Sequence, residues 1–267
     1  MTRPADKVRE GWPEYLMEAG CLGLFMLSAC LFTVLFEHPA WALRQAIPNP
    51  VFRSTLIGAA MGLTLVLIVH SPWGKQSGAH MNPAVTLTYL SLGKIAPERA
   101  AFYVLAQFLG GMSGVGLAWL LTGESLAHPS VDFAITRPGP AGQTAAFLAE
   151  TSISFVMMTA VLISANSRTW SRRTPYLAGA LVALFITFES PLSGMSMNPA
   201  RTFASAVAAG HWSGIWIYFS APLLGMLLAA GFYKFAPGAR RVYCAKLHHH
   251  NARRCLFNCH YGDLHAE

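Results

Sequence analysis

Charged residues are scarce in this chain. Asp, Glu, Lys and Arg make up 12% of its 267 residues, and only 12 residues are acidic. Soluble domains carry about 25% charged residues. Hydrophobic residues, in contrast, make up 54% of the chain. This composition excludes an ordinary soluble domain and predicts an integral membrane protein whose main partner is the lipid bilayer.

Residue patterns that carry enzyme chemistry are also missing. The apolar stretches contain no Ser/His/Asp arrangement, no phosphate-binding glycine loop and no paired carboxylates. The 19 Lys and Arg residues give a net charge of +7, but they are scattered over short polar segments rather than clustered with aromatic residues. The sequence therefore favours a protein that is not an enzyme, has no nucleic-acid partner and needs no cofactor in its apolar part.

Six apolar stretches approach the roughly 20 residues that a helix needs to span a bilayer. They cover residues 15–36, 54–70, 100–121, 144–165, 176–188 and 212–235. The second and fifth are short, and each is followed by an Asn-Pro-Ala segment and a further apolar piece, residues 85–92 or 203–209. Eight helical residues rise only about 12 Å, so neither piece crosses alone. Two such pieces entering from opposite faces would fill one span.

The two Asn-Pro-Ala segments are copies of one another. Residues 77–86 read SGAHMNPAVT and residues 193–202 read SGMSMNPART, with identity at seven of ten positions. Asn is a good helix N-cap, and proline in the first turn gives up no hydrogen bond. We therefore expect a half-helix to begin after each Asn. Irregular backbone at membrane depth needs protein or water around it. The pattern predicts a pore lined by Asn82, Pro83, Ala84, Asn198, Pro199 and Ala200.

Two half-helix N-termini facing one pore have an electrostatic consequence. Each carries about half a positive elementary charge, which repels cations. A water held between the amides of Asn82 and Asn198 accepts a hydrogen bond from both, which breaks the chain of waters that proton hopping requires. The sequence thus predicts a passive channel that excludes ions and protons.

The distribution of Lys and Arg predicts the topology. With a cytoplasmic N-terminus, 15 of the 19 fall on the cytoplasmic side, while Arg44, Arg53 and Arg137 lie outside and Arg201 lies within the second motif. Both termini are then cytoplasmic, in an inner or plasma membrane. Three spans per half invert the second half relative to the first. The predicted parts are a leader (1–13), a channel domain (14–235, with halves 14–121 and 144–235) and a tail (236–267).

These motifs resemble the major intrinsic proteins, the family of aquaporins and aquaglyceroporins. The resemblance rests on both motif copies, on Glu18 and Glu150, and on residues 106–107 and 221–225, and it covers about residues 14–235. It implies an all-α membrane protein with six transmembrane helices and two re-entrant half-helices in an inverted repeat. It also implies one pore per subunit, a homotetramer, and passage of water or small neutral solutes.

The resemblance further implies a selectivity filter at the outer end of the pore. Counting back from the motifs assigns to it Met61, Ile186, Met195 and Arg201. A charge at membrane depth costs about 2.5–3.5 kcal/mol, which marks Arg201 as functional, with an internal ion pair as the alternative. This filter is less polar than that of water-strict members, and Thr202 stands where glycerol-conducting members usually carry Asp. Water is the first expected solute, with glycerol, hydrogen peroxide and ammonia as alternatives.

Glu18 and Glu150 are the acidic residues well inside long apolar stretches. We expect each to support a re-entrant loop by accepting hydrogen bonds from its backbone, because water is not available there. Proton relay is the alternative. His80 is expected to join this network, with pH gating as a less favoured role.

The tail contains three of the five cysteines. On a reducing side of the membrane, Cys244, Cys255, Cys259 and the adjacent His260 suit a soft metal such as zinc. A disordered tail with free thiols is the favoured alternative. A rival function, a membrane-anchored redox protein, follows from residues 255–260, which resemble a c-type haem attachment sequence with one extra residue.

Overall fold

The computed structural model describes residues 11–235 and 241–266, and these ranges contain helices and turns but no β-strand. Residues 1–10, 236–240 and 267 of the predicted leader and tail, with Arg3, Lys7, Arg9 and Arg240, lie outside the described residues. The main elements are α1 (Trp12–Glu37), α2 (Pro50–His70), α3 (Pro83–Ser91), α4 (Pro97–Thr122), α5 (Gly142–Ala165), α6 (Thr174–Phe188), α7 (Pro199–Ala209) and α8 (Ile215–Phe235). Shorter helical segments are Ala42–Ala46, Pro72–Ser77, Glu124–Ala127, Asp132–Ala134, Ser171–Arg173, Ser190–Ser193 and Asp263–Ala266.

Five of these helices, α1, α2, α4, α5 and α8, are long and apolar enough to cross a membrane. The remaining predicted span, the fifth in chain order, is α6, which has only 15 residues and is flanked by the short helical segments Ser171–Arg173 and Ser190–Ser193. The last span begins at Ile215 rather than at residue 212, because the chain turns at Gly214, whose φ of 73° is left-handed. The half-helices α3 and α7 begin at the motif prolines, as predicted.

Small residues bring the helices of each half into close contact. α1 packs on α4, where a Cβ added to Gly110 would lie 2.1 Å from the carbonyl oxygen of Ala19. α5 packs on α8 in the same way, and a Cβ on Gly225 would lie 2.3 Å from the carbonyl oxygen of Thr151. Small residues of this kind are typical of membrane helix interfaces. The equivalent contacts show that the two halves repeat one packing scheme, and α2 of one half packs on α6 of the other.

The outer surface of the bundle is apolar between two belts of tryptophan. Leu63, Leu105, Leu148 and Leu228 are each more than half exposed on the spanning helices. Exposed tryptophans lie near the helix ends, with Trp12, Trp73 and Trp170 at one end of the bundle and Trp41, Trp212 and Trp216 at the other. Aromatic belts of this kind sit at the two interfaces of a bilayer. The surface therefore suits an integral membrane protein.

The C-terminal tail packs against one end of the bundle, which we call the tail face; the opposite end is the distal face. Asn258 N–H donates to the carbonyl of Lys94 before α4 (2.9 Å), and Arg168 donates to the carbonyl of Leu264 (2.7 Å). The tail also buries apolar side chains, namely Val242, Tyr243, Leu247, Phe257, Tyr261 and Leu264. The expectation of a disordered tail is thus wrong for residues 241–266, because these side chains find apolar partners on the bundle.

Candidate pore and tail cluster

The two motif asparagines cap the half-helices. Asn82 Oδ1 accepts a hydrogen bond from the N–H of Ala84 at 2.8 Å, and Asn198 Oδ1 accepts one from the N–H of Ala200 at 3.1 Å. Both alanines are fully buried behind the N-terminal prolines of α3 and α7. The Asn-Pro-Ala sequence thus fixes where each half-helix starts.

The asparagines also join the two halves. The Nδ2 group of Asn82 donates to the carbonyl of Met197 at 2.6 Å, and the Nδ2 group of Asn198 donates to the carbonyl of Met81 at 2.7 Å. Each side-chain amide has two N–H groups. One is used across the repeat, so the second of each amide is available to a molecule in the cavity that both residues line.

The loops that lead into the half-helices have a strained backbone. Four residues have φ values between 50° and 56°, namely Ala79, Met81, Met195 and Met197. This is a left-handed backbone conformation that residues other than glycine rarely adopt. Such residues cost about 1–3 kcal/mol each and persist only where surrounding contacts hold them. The two copies are strained at equivalent positions, so the contacts that hold them are part of the repeat.

Buried carboxylates supply those contacts. Glu150 Oε1 accepts from the N–H of Ser196 (2.7 Å) and Oε2 accepts from the N–H of Met197 (2.7 Å). Glu18 accepts from the N–H of Met81 in the other loop. Both glutamates are fully buried. Each therefore satisfies loop backbone groups that water does not reach.

His80 connects the first loop to the tail. Its Nδ1 atom lies 3.0 Å from the hydroxyl of Thr86, and its Nε2 atom lies 2.9 Å from the carbonyl of Ala245. A carbonyl can only accept, so Nε2 carries the hydrogen and Nδ1 accepts from Thr86. Gln107 donates both to Thr86 (3.0 Å) and to Glu18 (2.9 Å). One chain of hydrogen bonds thus runs from the buried glutamate to the tail.

The second loop is tied to a different segment. At the position equivalent to His80, Ser196 shares a hydrogen bond with Thr202 at 2.6 Å, and Thr202 shares another with Thr136 at 2.7 Å. Thr136 belongs to the connection between the halves on the distal face. Thr202 therefore secures this connection, and its hydroxyl group is engaged away from the cavity.

A cavity of about 390 Å³ runs between the halves. It extends from Glu37 and Arg137 on the distal face, past both asparagines, to Leu247 of the tail. The four residues assigned to the filter all line it, namely Met61, Ile186, Met195 and Arg201. The cavity wall is mostly apolar, and the polar residues that line it between the two ends include Asn82, Asn198 and Arg201, with His80 and Ser196 in the adjoining loops.

Arg201 makes no ion pair with the acidic residues that the structure describes. Its backbone N–H donates to Asn198 Oδ1 at 3.3 Å, which fixes it in the first turn of α7. Its Nη1 atom has no hydrogen-bond partner within the described part of the chain. The alternative of an internally ion-paired arginine is therefore wrong for the described residues.

The tail cysteines converge, but on a different histidine from the predicted one. The ligand atoms of Cys244, His249, Cys255 and Cys259 all lie within 4.8 Å of one another. His260 is exposed and lies outside this group, because the chain folds back and brings His249 to 3.0 Å from the Cys259 thiol. This corrects the predicted ligand set. The haem-attachment interpretation pairs the thiols of Cys255 and Cys259 with His260, whereas the structure groups these thiols with Cys244 and His249.

The thiols of this cluster lie close enough to form hydrogen bonds with one another. Cys244 Sγ lies 3.5 Å from Cys255 Sγ, and all five cysteines are free thiols. The hydrogen bond from Cys244 lowers the pKa of Cys255 to about 4, against the opposing effect of burial. A hydrogen bond from Cys244 also lowers the pKa of Cys259, to about 6, whereas the pKa of Cys244 itself is raised by the same bonds.

Sequence reasoning missed two parts of this site. The tail residues Ala245 and Leu247 both contact the first loop, and Leu247 also lines the cavity, yet neither carries a pattern that indicates such a role. Thr136 was also missed, although its place in a short polar segment before Pro138 was visible. The signal for either part is long-range packing, which the sequence pattern does not contain.

The comparisons with known proteins agree with this geometry. The chain is 36% identical over 182 residues to aquaporin NIP6-1 of Arabidopsis thaliana, covering 67% of this chain and 57% of the relative. It is 35% identical over 190 residues to human aquaporin-4, covering 70% and 58%. The matched regions thus span less than two thirds of these relatives. In fold, the chain is similar to an aquaglyceroporin from Plasmodium falciparum, with a TM-score of 0.70, 18% identity, and coverage of 84% and 95%.

The family model described as major intrinsic protein matches residues 10–233, which include all eight main helices except the end of α8. The chain therefore belongs to the major intrinsic protein family.

Proposed function

We propose that this protein is a passive channel for water and small neutral solutes that excludes ions and protons. The observation that carries the proposal is the reciprocal pair of bonds from Asn82 Nδ2 to Met197 and from Asn198 Nδ2 to Met81. It holds both side-chain amides beside the cavity, with the N-termini of α3 and α7 behind them. A solute there meets donors and positive partial charge from both sides.

Ion exclusion follows from that arrangement. A cation loses water on entering the cavity and finds few acceptors, because the lining between the two ends is mainly apolar and its central polar groups donate. Arg201 adds a full positive charge without a neutralising carboxylate among the described residues. A neutral molecule that offers oxygen or nitrogen lone pairs accepts hydrogen bonds from these donors in place of water, and the charge of Arg201 does not repel it.

The polarity of the filter residues indicates which solutes the channel accepts. Met61, Ile186 and Met195 give the cavity apolar lining, and Arg201 adds one guanidinium group. Methionine side chains are flexible and repack around different shapes. Water is our first choice, and glycerol, hydrogen peroxide and ammonia are the alternatives that such a wall accepts. The names of the relatives, aquaporin and aquaglyceroporin, fit this range.

We also propose the orientation and assembly. The described tail face carries most of the basic residues, whereas Arg44, Arg53 and Arg137 lie on the distal face, so the positive-inside rule makes the tail face cytoplasmic. Both termini are then cytoplasmic, in an inner or plasma membrane. A homotetramer with one pore per subunit is the assembly that the family resemblance implies.

Liposome swelling tests the function. Proteoliposomes are exposed to equal osmotic jumps with an impermeant sugar and with glycerol, and light scattering follows their volume. We expect fast shrinkage in both, and re-swelling in glycerol only if glycerol also passes. Ile186→Trp should block the cavity, whereas the matched change Leu63→Trp, on the lipid-facing side of α2, should not. Wild-type rates equal to those of protein-free liposomes would contradict a channel.

A further inference from the structure

We propose that Cys244, His249, Cys255 and Cys259 bind one Zn²⁺ ion, and that this ion holds the tail over the tail-face mouth of the cavity. The four ligand atoms lie within 4.8 Å of one another although the residues are spread over 16 positions of the chain. Three thiolates and one imidazole are a standard ligand set for structural zinc, which is four-coordinate and tetrahedral.

The distance between two of the thiols is close to that geometry. Zinc–sulfur bonds of about 2.3 Å place two tetrahedral thiolates about 3.8 Å apart. Cys244 Sγ and Cys255 Sγ are 3.5 Å apart, which is far too long for a disulfide and close to the tetrahedral edge. His249 Nε2 faces Cys259 Sγ at 3.0 Å. The His249 ring stacks on Tyr261 with centroids 4.2 Å apart, which fixes the orientation of its nitrogen.

The surroundings suit the charge of such a site. Zinc with three thiolates and a neutral imidazole carries one net negative charge. The side chain of Lys246 is buried and interacts electrostatically with the three tail cysteines, and its ammonium group donates to the carbonyls of Arg253 (3.3 Å) and Arg254 (2.9 Å). A buried ammonium needs a negative partner. The described acidic residues form no ion pair with Lys246, so the metal thiolates are the charge that matches it.

The irregular backbone of the tail also favours a metal that links its two ends. Between residues 241 and 262 the chain has no regular secondary structure, yet it buries Tyr243, Leu247 and Phe257. Apolar contacts with the bundle order these side chains, and a metal would add a link within the segment, as it does in small units with little regular structure. The cluster lies where it ties the first part of the segment, at Cys244, to the last part, at Cys259.

The metal-held segment contacts the first re-entrant loop directly. Ala245, next to Cys244, accepts from His80 Nε2 at 2.9 Å, and Leu247 N–H donates to the carbonyl of Gly78 at 3.2 Å. Phe257, between two of the cysteines, stacks on His80 with centroids 5.1 Å apart. Leu247 lines the cavity itself. Zinc occupancy is thereby coupled to the position of a cavity residue.

Metal analysis of the purified full-length protein tests the site. Under reducing conditions with added Zn²⁺, we expect about one tightly held zinc per chain, and the absorption of tetrahedral cobalt thiolate after exchange with Co²⁺. Cys255→Ser and His249→Ala should lose the tight zinc, whereas the matched change His260→Ala, at the exposed neighbour of Cys259, should keep it. The absence of zinc from the wild type, iron and sulfide in its place, or loss in His260→Ala with retention in His249→Ala would each overturn the proposal.

Limited proteolysis tests the docking independently of transport. The peptide bonds after the exposed residues Arg253 and Arg254 are trypsin sites inside the zinc-bound loop. We expect a chelator to speed their cleavage by about tenfold or more in the wild type, because ligand binding stabilises only the folded segment. The same chelator should change nothing in Cys255→Ser. Equal cleavage with and without zinc in the wild type would overturn the docking. The metal content does not depend on solute flux, so failure of the channel proposal would leave this result readable.

Discussion

The two halves of the molecule stabilise their re-entrant loops with equivalent residues, but different segments of the chain pack over the two loops. Glu18 and Glu150 occupy equivalent places, and so do two tyrosines: Tyr103 donates to the carbonyl of Ser77 at 2.6 Å, and Tyr218 donates to the carbonyl of Ser193 at 2.5 Å. Duplication thus preserved the bonds that order the strained backbone. The differences between the copies lie at the cavity ends, where they can alter selectivity or access without disturbing the centre.

Those differences are few and chemically clear. The first copy has His80, which bonds to the tail, where the second has Ser196, which bonds to Thr202 and through it to the distal connection. The first copy has Val85 where the second has Arg201, and both line the cavity. The distal end therefore carries a fixed charge, whereas the tail end is covered by Leu247 and its neighbours.

The largest expected effect comes from removing one of the buried glutamates that both halves have. Glu150→Ala leaves two buried backbone N–H groups, those of Ser196 and Met197, without an acceptor. Each unsatisfied buried group costs about 1–3 kcal/mol. We expect loss of folded protein, measured as a lower unfolding temperature in detergent and a lower yield on size-exclusion chromatography.

Glu18→Ala in the other half is the matched change. If the halves are held alike, it should destabilise the protein to a similar degree, and Ser152→Ala, at an exposed position on α5, should do little. A severe effect of one glutamate change together with a mild effect of the other would break the comparison between the halves.

A smaller, selective effect is expected at the distal end. Arg201→Val gives the second copy the residue that the first copy has at position 85, and it removes the fixed charge from the cavity. We expect folded protein with a proton or ion leak raised by about tenfold or more, which corresponds to about 1.4 kcal/mol of barrier. A pH-sensitive dye inside proteoliposomes measures the leak.

Val85→Ala is the control for the Arg201 change, since it alters the equivalent cavity position without changing charge. It should leave the leak at the wild-type level. An Arg201→Val protein that conducts water and excludes protons as the wild type does would show that the asymmetry of charge has no part in selectivity.

How far the sequence predicts this structure depends on the range of the interactions. Asn-Pro-Ala acts locally, through a cap and a first-turn proline, and the starts of α3 at Pro83 and α7 at Pro199 were predictable for that reason. The tail was not, because its order depends on contacts with the distant Gly78 and His80. Adjacency in sequence favoured His260 as a ligand, whereas the fold brings in His249, ten residues before Cys259.

Filter polarity should have a more modest effect than filter charge. Ile186→His introduces a donor and an acceptor into an apolar wall of the cavity. We expect water permeation to persist and glycerol permeation to fall by about three- to tenfold, since losing apolar contact with the carbon backbone costs about 1 kcal/mol. Parallel osmotic jumps with sugar and glycerol measure the two rates. An unchanged ratio of the rates would remove Ile186 from the filter.

The smallest expected effect distinguishes the tail, which packs on the first loop, from the segment around Thr136, which packs on the second. His80→Ala removes the bond to Ala245 and the stacking on Phe257, so it should loosen the tail while the distal end stays as it is. A net hydrogen bond is worth about 1 kcal/mol, and we expect hydrogen exchange of the tail amides to quicken by about fivefold. Ser196→Ala at the equivalent position should instead loosen the segment around Thr136 and leave the tail protected. If both changes loosened the same segment, the two ends of the cavity would be coupled through the asparagine pair rather than covered independently.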